Sequence, residues 1–308
     1  MFFWRKTARW PLRLSPSSDV SENAKIVMET VRAADHDRYV SALYAPEDKR
    51  EALFSLYAFN AEISGIRDRI REALPGEVRL QWWRDVIVAD DDGAARGDGA
   101  NIGHPVADAL KATISAHRLP KLAFESMLEA RVFDLYDDPM PSRTDLEGYC
   151  GETAAALIQL AAMVLDPAEA PRFAELAGRA GCAQAMTGLL LLLPLHRKRG
   201  QCFVPADILA AAGSSPEEFV AGDGGPGAQR AVAAMIALAR EHLSAFESGA
   251  SALPVSLRPA FLPLALSRAY LGKMESGRHF PLDGAARLSA LRRHWLLFRR
   301  ATRGWPDA

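Results

Sequence analysis

The sequence predicts an all-α protein, and three observations support this fold class. Apolar residues recur at spacings of three and four in nearly every segment beyond the amino terminus, which is the period of an amphipathic helix. Alternating apolar and polar runs, which are typical of half-buried strands, are scarce. The 308 residues are 49% apolar and 24% charged, a composition typical of a soluble globular protein with a sizeable core.

We predict a single helical domain over residues 24–303, because no internal repeat or low-complexity linker divides the chain. Residues 1–23 are predicted to form a flexible tail, and residues 304–308 a second, short one. The first 18 residues hold four basic residues and four bulky aromatic residues without an acid. That pattern is also compatible with a membrane-surface segment or an organelle transit peptide.

The helices are assigned in chain order from periodicity, proline and glycine. Pro46 suits the first turn of a helix, because its missing N–H has no partner there. The pair Pro75-Gly76 is predicted to end that helix, and a second helix carries Trp82 and Trp83. Residues 90–103 are acidic and glycine-rich, which predicts a surface loop. Seven further helices are predicted, over residues 105–116, 120–135, 142–165, 170–195, 227–248, 258–274 and 288–301.

The carboxy-terminal helix is strongly amphipathic. Residues 287–303 combine apolar side chains, among them Leu288, Leu291, Trp295, Leu296 and Phe298, with six arginines. Such a helix docks on the bundle through its apolar face or lies on an anionic membrane surface.

Composition and motifs exclude several classes of function. The net charge is −1 and the pI near 6.7, so no overall field attracts nucleic acid. Cys150, Cys182 and Cys202 are widely spaced and indicate buried thiols in a reducing compartment. The longest apolar run, residues 186–195, is far shorter than the roughly 20 residues that span a bilayer, so no transmembrane helix is predicted. A G-x-S-x-G serine nucleophile motif is absent from the sequence.

Two segments, residues 56–68 and 183–205, resemble the substrate-binding helices of squalene and phytoene synthases. Residues 37–59, Asp134-Leu135 and Tyr149-Cys150 are similar to further landmarks of that family, in the same order. The resemblance implies a bundle of the isoprenoid (trans-prenyl) synthase type. Each of the two family helices carries a D-x-x-x-D motif, which here has become Ser64-x-x-x-Asp68 and Leu192-x-x-x-His196.

The missing acids matter because of the chemistry of prenyl transfer. Carboxylates four residues apart lie on one helical face and can hold the Mg²⁺ ions that neutralise a departing diphosphate. Glu62 and Asp68 are six positions apart, hence about 240° around the helix, and cannot chelate one ion well. Leucine and neutral imidazole do not replace hard oxygen ligands. We therefore expect no cofactor, and Mg²⁺ only if the chain is an active transferase.

Five further stretches resemble one branch of the superfamily, that of the mitochondrial complex I assembly factor 6 and its bacterial relatives. They are residues 78–85, 152–153, 181–184, 193–196 and 262–265. This resemblance implies a pseudoenzyme whose partner is a respiratory complex I subunit or assembly intermediate. It implies a bacterial cytoplasmic protein, peripheral to the inner membrane, or a mitochondrial matrix protein.

Two alternatives remain open at this point. The first is an active isoprenoid transferase that uses Asp68, Glu62 and Asp134 to condense prenyl diphosphates head to head. The second is a prenyl-lipid-binding protein that keeps the pocket without chemistry.

The remaining candidate residues form three groups, each with a plainer interpretation. Polar residues that could line a remnant prenyl pocket, or be satisfied within the core, are Tyr57, Asn60, Gln81, Gln184 and Thr187. A basic turn that could bind a diphosphate or acidic lipid, or simply be solvated, consists of His196, Arg197, Lys198 and Arg199. A partner surface could consist of Arg79, Trp83 and Arg84, unless Trp82 packs in the core and Trp83 covers a flank.

Overall fold

The structure, a computed structural model, describes residues 18–89, 102–276, 281–282, 284 and 286–305. In this part of the chain every regular element is helical, so the predicted all-α fold is confirmed. The α-helices, joined by short turns of 3₁₀-helix, are α1 (Ser18–Ala34), α2 (His36–Ala42), α3 (Glu47–Ser64), α4 (Ala73–Val88), α5 (Pro105–His117), α6 (Lys121–Val132), α7 (Arg143–Cys150), α8 (Ala156–Leu165), α9 (Ala174–Lys198), α10 (Ala206–Ala211), α11 (Pro216–Ala221), α12 (Pro226–Gly249), α13 (Arg258–Phe261), α14 (Ser267–Glu275) and α15 (Ala290–Arg303).

The centre of the bundle is formed by α3, α9 and α12. Helix α9 packs along α12 and against α8, while α3 packs against α1, α5 and α8. Tyr57, Phe59 and Met186 are among the side chains that this arrangement buries. The three cysteines are free and buried, as predicted.

Helix α4 begins earlier than predicted. Pro75 and Gly76 do not end the preceding helix but lie in the first turn of α4, where a proline costs no hydrogen bond. A Cβ on Gly76 would lie 2.6 Å from Ile70 Cδ1 and 2.7 Å from Leu135 Cδ2, so a larger residue there would displace the ends of these two side chains. The preceding helix, α3, ends at Ser64, and a 3₁₀ turn over Arg67–Arg69 follows.

The predicted single helix over residues 142–165 is interrupted by a π-helical turn. Ser142 caps α7 by accepting a hydrogen bond from the Asp145 N–H at 3.2 Å, and the π turn Gly151–Ala155 joins α7 to α8. Gly181 of α9 packs directly on this turn, since a Cβ on Gly181 would lie 2.4 Å from Ala155 Cα. The close approach of these two backbones therefore depends on glycine.

Both ends of the predicted domain differ from expectation. Helix α1 begins at Ser18 rather than at residue 24, while residues 1–17 lie outside the described part of the chain. At the other end, Trp305 is buried rather than part of a tail, and its ring packs edge-on against Phe246 at 5.3 Å. Of the predicted loop over residues 90–103, only Ile102 and Gly103 are described.

Two helical segments are long and apolar enough to cross a membrane by length and composition, namely Arg143–Leu165 and Ala170–Lys198. About half of each is buried, because they pack against each other and against α12 in the middle of the bundle. A core helix of a folded domain has the same length and composition as a membrane span.

Candidate functional site

A cavity of about 690 Å³ lies between α3, α9, the π turn after α7 and the start of α14. All four degenerate motif positions, Ser64, Asp68, Leu192 and His196, lie in its wall. The two aligned segments thus face each other across one cavity, as their resemblance to the two motif helices of the synthases implies.

The side chains at these positions are already engaged or apolar. The Ser64 hydroxyl lies 3.4 Å from the Ala61 carbonyl oxygen, and Asp68 accepts a hydrogen bond from the Arg199 guanidinium at 2.5 Å. His196 is 7% exposed, and its ring lies 4.7 Å from that of Phe203. Burial, with a smaller contribution from the charge of Arg199, lowers the pKa of His196 to about 4, so the imidazole is neutral at physiological pH.

The three carboxylates of the transferase hypothesis are separately paired with arginines. Besides the Asp68–Arg199 pair, Glu62 accepts from Arg69 at 2.7 Å, and Asp134 accepts from Arg131 at 2.9 Å. Glu62 does not line the cavity. Among the described residues, no three His, Cys, Asp or Glu side chains lie close enough together to hold a metal ion. This donor set does not fit the magnesium cluster of a prenyl synthase.

The Asp134 pair belongs to a buried three-residue network in the cavity wall. Arg131 also donates to the Tyr149 oxygen at 2.7 Å, and the Tyr149 hydroxyl donates to Asp134 at 2.8 Å. Burial raises the pKa of Tyr149 well above its ordinary value, so the phenol keeps its proton and its role as a donor. All three side chains are fixed by one another.

Two further carboxylates in the wall were not predicted as site residues. Asp35 caps α2 by accepting from the Arg38 N–H at 3.0 Å and also pairs with the Arg38 guanidinium, while Asp37 pairs with Arg293 at 2.6 Å. Burial raises the pKa of Asp37 even though Arg293 opposes the shift. The available signal was the run Asp35-His-Asp-Arg38 immediately before an apolar helix, a pattern typical of a helix start.

Several buried polar atoms of this region have no hydrogen-bond partner among the described residues. Gln184 Oε1 and His196 Nδ1 belong to residues in the cavity wall, and the buried Tyr57 hydroxyl is on α3 close to it. Because a buried polar atom without a partner costs free energy, such atoms favour a cavity occupant that carries polar groups.

The five predicted pocket residues lie in three different places relative to the cavity. Asn60, Gln184 and Thr187 lie in the cavity wall. Tyr57 is buried behind the wall, 2% exposed. Gln81 is exposed on α4 and donates a hydrogen bond to Asp85 at 2.7 Å, so its placement in the pocket was wrong. The residue of this turn that packs inward is its neighbour, Leu80.

The predicted basic turn is not one surface. His196 and Arg199 face the cavity, whereas Arg197 donates to the carbonyl oxygens of Phe219 at 2.9 Å and of Gly222, at the end of α11. Only Lys198 of the four is exposed. The residues point in different directions because they occupy the last turn of a helix, where neighbours differ by about 100°.

The predicted partner surface is wrong for Trp83. This side chain is 3% exposed and packs edge-on against Phe59 at 5.1 Å, because α4 turns it toward α3 and α6. Trp82 is the exposed member of the pair, at 37%. Arg79 is exposed, and Arg84 is half-buried and paired with Glu129 at 2.8 Å.

Comparison with solved structures confirms the fold. The structure superposes on squalene synthase HpnC from Alicyclobacillus acidocaldarius with a TM-score of 0.71 and 18% identity, covering 87% of this chain and 97% of the synthase. It superposes on a dehydrosqualene synthase with a TM-score of 0.78 and 16% identity, covering 94% and 98%. The predicted isoprenoid synthase type of bundle is therefore confirmed.

Comparison of sequences finds relatives of two kinds. The chain is 29% identical over 252 residues to NADH dehydrogenase (ubiquinone) complex I, assembly factor 6 of Bos taurus, covering 80% of this chain and 72% of the relative. The Homo sapiens counterpart is 26% identical over 250 residues, with the same coverage. Presqualene diphosphate synthase of Zymomonas mobilis is 26% identical over 179 residues, covering 57% and 58%.

The predicted likeness to the assembly-factor branch is thus confirmed at the level of sequence similarity. A family model described as squalene/phytoene synthase matches residues 31–294. Since this match covers most of the chain, both aligned motif helices included, the chain belongs to the squalene/phytoene synthase family.

Proposed function

We propose that this chain is a non-catalytic member of its family that acts in the assembly of respiratory complex I, the NADH dehydrogenase. The observation that carries the proposal is the occupation of the synthase metal-site region by arginine–carboxylate pairs, Asp68–Arg199 and Asp134–Arg131 among them. The similarity to complex I assembly factors at 26–29% identity over about 80% of the chain supports the same role.

The carboxylates of this region are held in pairs that do not suit catalysis. Prenyl transfer requires several carboxylates that converge on Mg²⁺ and leave it open to diphosphate oxygens. To serve that purpose, Asp68 would have to give up Arg199, and Asp134 would have to leave Arg131 and Tyr149. For the buried Asp134, separation from its arginine costs about 3–5 kcal/mol, whereas the exposed Asp68 pair costs at most about 1 kcal/mol to break. The active transferase using Asp68, Glu62 and Asp134 is therefore the less favoured candidate.

An assembly role needs a surface for a complex I subunit or assembly intermediate. The run 78–85 belongs to the segments that resemble the assembly-factor branch, and Val78, Arg79 and Trp82 within it are exposed. We place the client contact on this face of α4. Such a role locates the chain where the complex is assembled, in the bacterial cytoplasm or, in a eukaryote, in the mitochondrial matrix.

A second candidate function, binding of a prenyl lipid, is favoured by the cavity itself. It has room for a ligand, and its wall includes Leu189, Leu192 and Leu195 beside the unpartnered polar atoms of Gln184 and His196. A wall that combines apolar side chains with convergent polar groups suits a ligand that has an apolar chain and a polar end. Lipid binding and an assembly role are compatible.

The first experiment separates catalysis from the proposed role. The purified chain is incubated with Mg²⁺ and farnesyl or geranylgeranyl diphosphate, and pyrophosphate release and condensed products are measured beside an active squalene synthase. We expect no turnover by the folded chain. Product formation that Asp68→Ala abolishes would establish the transferase and overturn the proposal.

The second experiment tests the assembly role directly. In cells that lack the gene, assembled complex I is measured on native gels, with succinate dehydrogenase as the unaffected control. We expect complex I to fall and to be restored by the wild-type chain but not by a Val78→Ser/Trp82→Ser variant. Val255→Ser, at a position 69% exposed elsewhere on the surface, is the matched control and should restore it fully. Normal complex I in the deleted cells would refute the role.

A further inference from the structure

Helix α15 is held on the bundle by one face. Leu297 is 1% exposed, and Arg293 pairs with Asp37 of α2 at 2.6 Å. Immediately beyond the helix, Trp305 is buried against Phe246. The orientation of the helix is therefore fixed, and its opposite face is directed to solvent.

The outward face carries an apolar stripe. Leu291 is 82% exposed, Trp295 59% and Phe298 47%, and the rings of Trp295 and Phe298 lie 6.0 Å apart. Their spacing of four and three residues places them on one line along the helix. A folded protein rarely exposes an aligned apolar set of this kind unless it contacts a partner or a membrane.

The stripe is bordered by unpaired positive charge. Arg292, Arg299 and Arg303 are exposed and, at 100° per residue, lie along one side of the stripe. The segment Ala290–Arg303 contains no Asp or Glu, and none of these arginines forms an ion pair within the described part of the chain. The outward face of the helix is thus apolar and cationic together, and the helix itself carries no acid.

We propose that this outward face of α15, defined by Leu291, Trp295, Phe298, Arg292, Arg299 and Arg303, binds an anionic lipid membrane. A helix that lies in the membrane interface inserts apolar and aromatic side chains while its arginines contact anionic headgroups. The charge complementarity selects the anionic lipid as occupant, and the convex single-helix face suits a planar surface. This contact is peripheral and independent of the proposed role in complex I assembly.

The test uses the full chain and vesicles of defined composition. Co-sedimentation is measured with phosphatidylcholine vesicles and with vesicles in which roughly a third of the lipid is phosphatidylglycerol. We expect binding to the anionic vesicles, weakened by added salt, and little binding to the neutral ones. A wild-type chain that binds neither, or binds both equally without salt dependence, would overturn the proposal.

Two variants locate the contact on α15. Leu291→Ser/Trp295→Ser/Phe298→Ser should lower the affinity for anionic vesicles by about tenfold or more, and Arg292→Gln/Arg299→Gln/Arg303→Gln should also remove most of the salt dependence. Leu122→Ser, at a position 71% exposed on α6, is the matched control and should bind like the wild type. Unfolding midpoints establish that the variants are folded. If the first variant binds as well as the wild type, α15 is not the membrane contact.

The same serine variant distinguishes a lipid contact from self-association. Sedimentation of the chain without lipid should give one unchanged species for the wild type and the variant. A wild-type dimer that the variant dissociates, without vesicle binding, would assign the face to a second copy of the chain and overturn the membrane contact.

Discussion

The cavity and the outward face of α15 use similar residues in opposite ways. Both combine leucines and aromatic rings with several arginines, but the cavity arginines are paired with carboxylates, as Arg131 is with Asp134 and Arg199 with Asp68. On α15, Arg292 and Arg299 have no such partner in the described part of the chain. The comparison shows that ion pairs within the fold neutralise one set of arginines, whereas the other set is left available for binding.

The largest effect is expected inside the cavity wall. Asp134→Ala leaves the buried Arg131 guanidinium without its carboxylate and should lower the free energy of unfolding by about 3–5 kcal/mol, measured by urea denaturation. Asp137→Ala is the control. Asp137 pairs with Arg67, but its side chain is 53% exposed, so its loss should lower the free energy of unfolding by less than about 1 kcal/mol. Equal losses for the two variants would show that the buried pair contributes no more to stability than the exposed one.

The next effect is a dependence of stability on pH. The folded state holds the pKa of His196 near 4, whereas the unfolded chain has the ordinary value of 6.5. Between these values the unfolded state binds more protons, so His196 causes the stability to fall as pH decreases from 6.5 toward 4, by about 3 kcal/mol in total. Urea unfolding of the wild type and of His196→Gln at pH 4.5 and 7.5 measures this contribution. A variant with the same pH dependence as the wild type would contradict it.

A smaller effect is expected where a cavity pair is more open to solvent. The Asp68 side chain is 56% exposed, so Asp68→Ala should cost at most about 1 kcal/mol of unfolding free energy. The same change frees Arg199 in the cavity and should increase the affinity for inorganic pyrophosphate without metal, measured by calorimetry. Asp68→Ala/Arg199→Ala is the control and should lose the gain. Unchanged pyrophosphate binding would show that pairing does not limit this arginine.

The smallest effect is expected on α15. Arg299→Ala should change the free energy of unfolding by less than about 0.5 kcal/mol, since an exposed side chain without a partner contributes little. Arg293→Ala is the matched control on the same helix and should cost more, because Arg293 is paired with the half-buried Asp37. If both variants were equally costly in urea unfolding, α15 would not present two different faces.

The sequence is sufficient for most helices, because their apolar period is local. The resemblance to the synthase motif helices also places Ser64, Asp68, Leu192 and His196 on one cavity, although Asp68 lies in the 3₁₀ turn after α3. The sequence does not predict the orientation of Trp83. Either of two adjacent tryptophans can face the core, and the choice depends on which side of the helix packs against its neighbours. In retrospect the buried series Leu80, Trp83 and Ile87 gives the phase.

The pairing of charges could not be predicted from the sequence. Arg199 and Asp68 are 131 positions apart, and Arg293 and Asp37 are 256 apart. Ion pairs at such separations depend on the arrangement of the whole bundle rather than on any local pattern. The interpretation of residues 196–199 as one basic turn was wrong for this reason, since Arg197 contacts the end of α11 and Arg199 pairs with Asp68, while Lys198 is exposed.

The π turn Gly151–Ala155 gives one segment of the chain an unusual tolerance to genetic change. A π turn holds one residue more than the α-helical path it replaces. An in-frame loss of a single codon there would therefore leave a regular α-helix and keep α8 in nearly the same rotation relative to α7. The same loss within α8 would rotate the residues beyond it by about 100°, so that the buried face with Leu157, Leu160 and Val164 would leave the core.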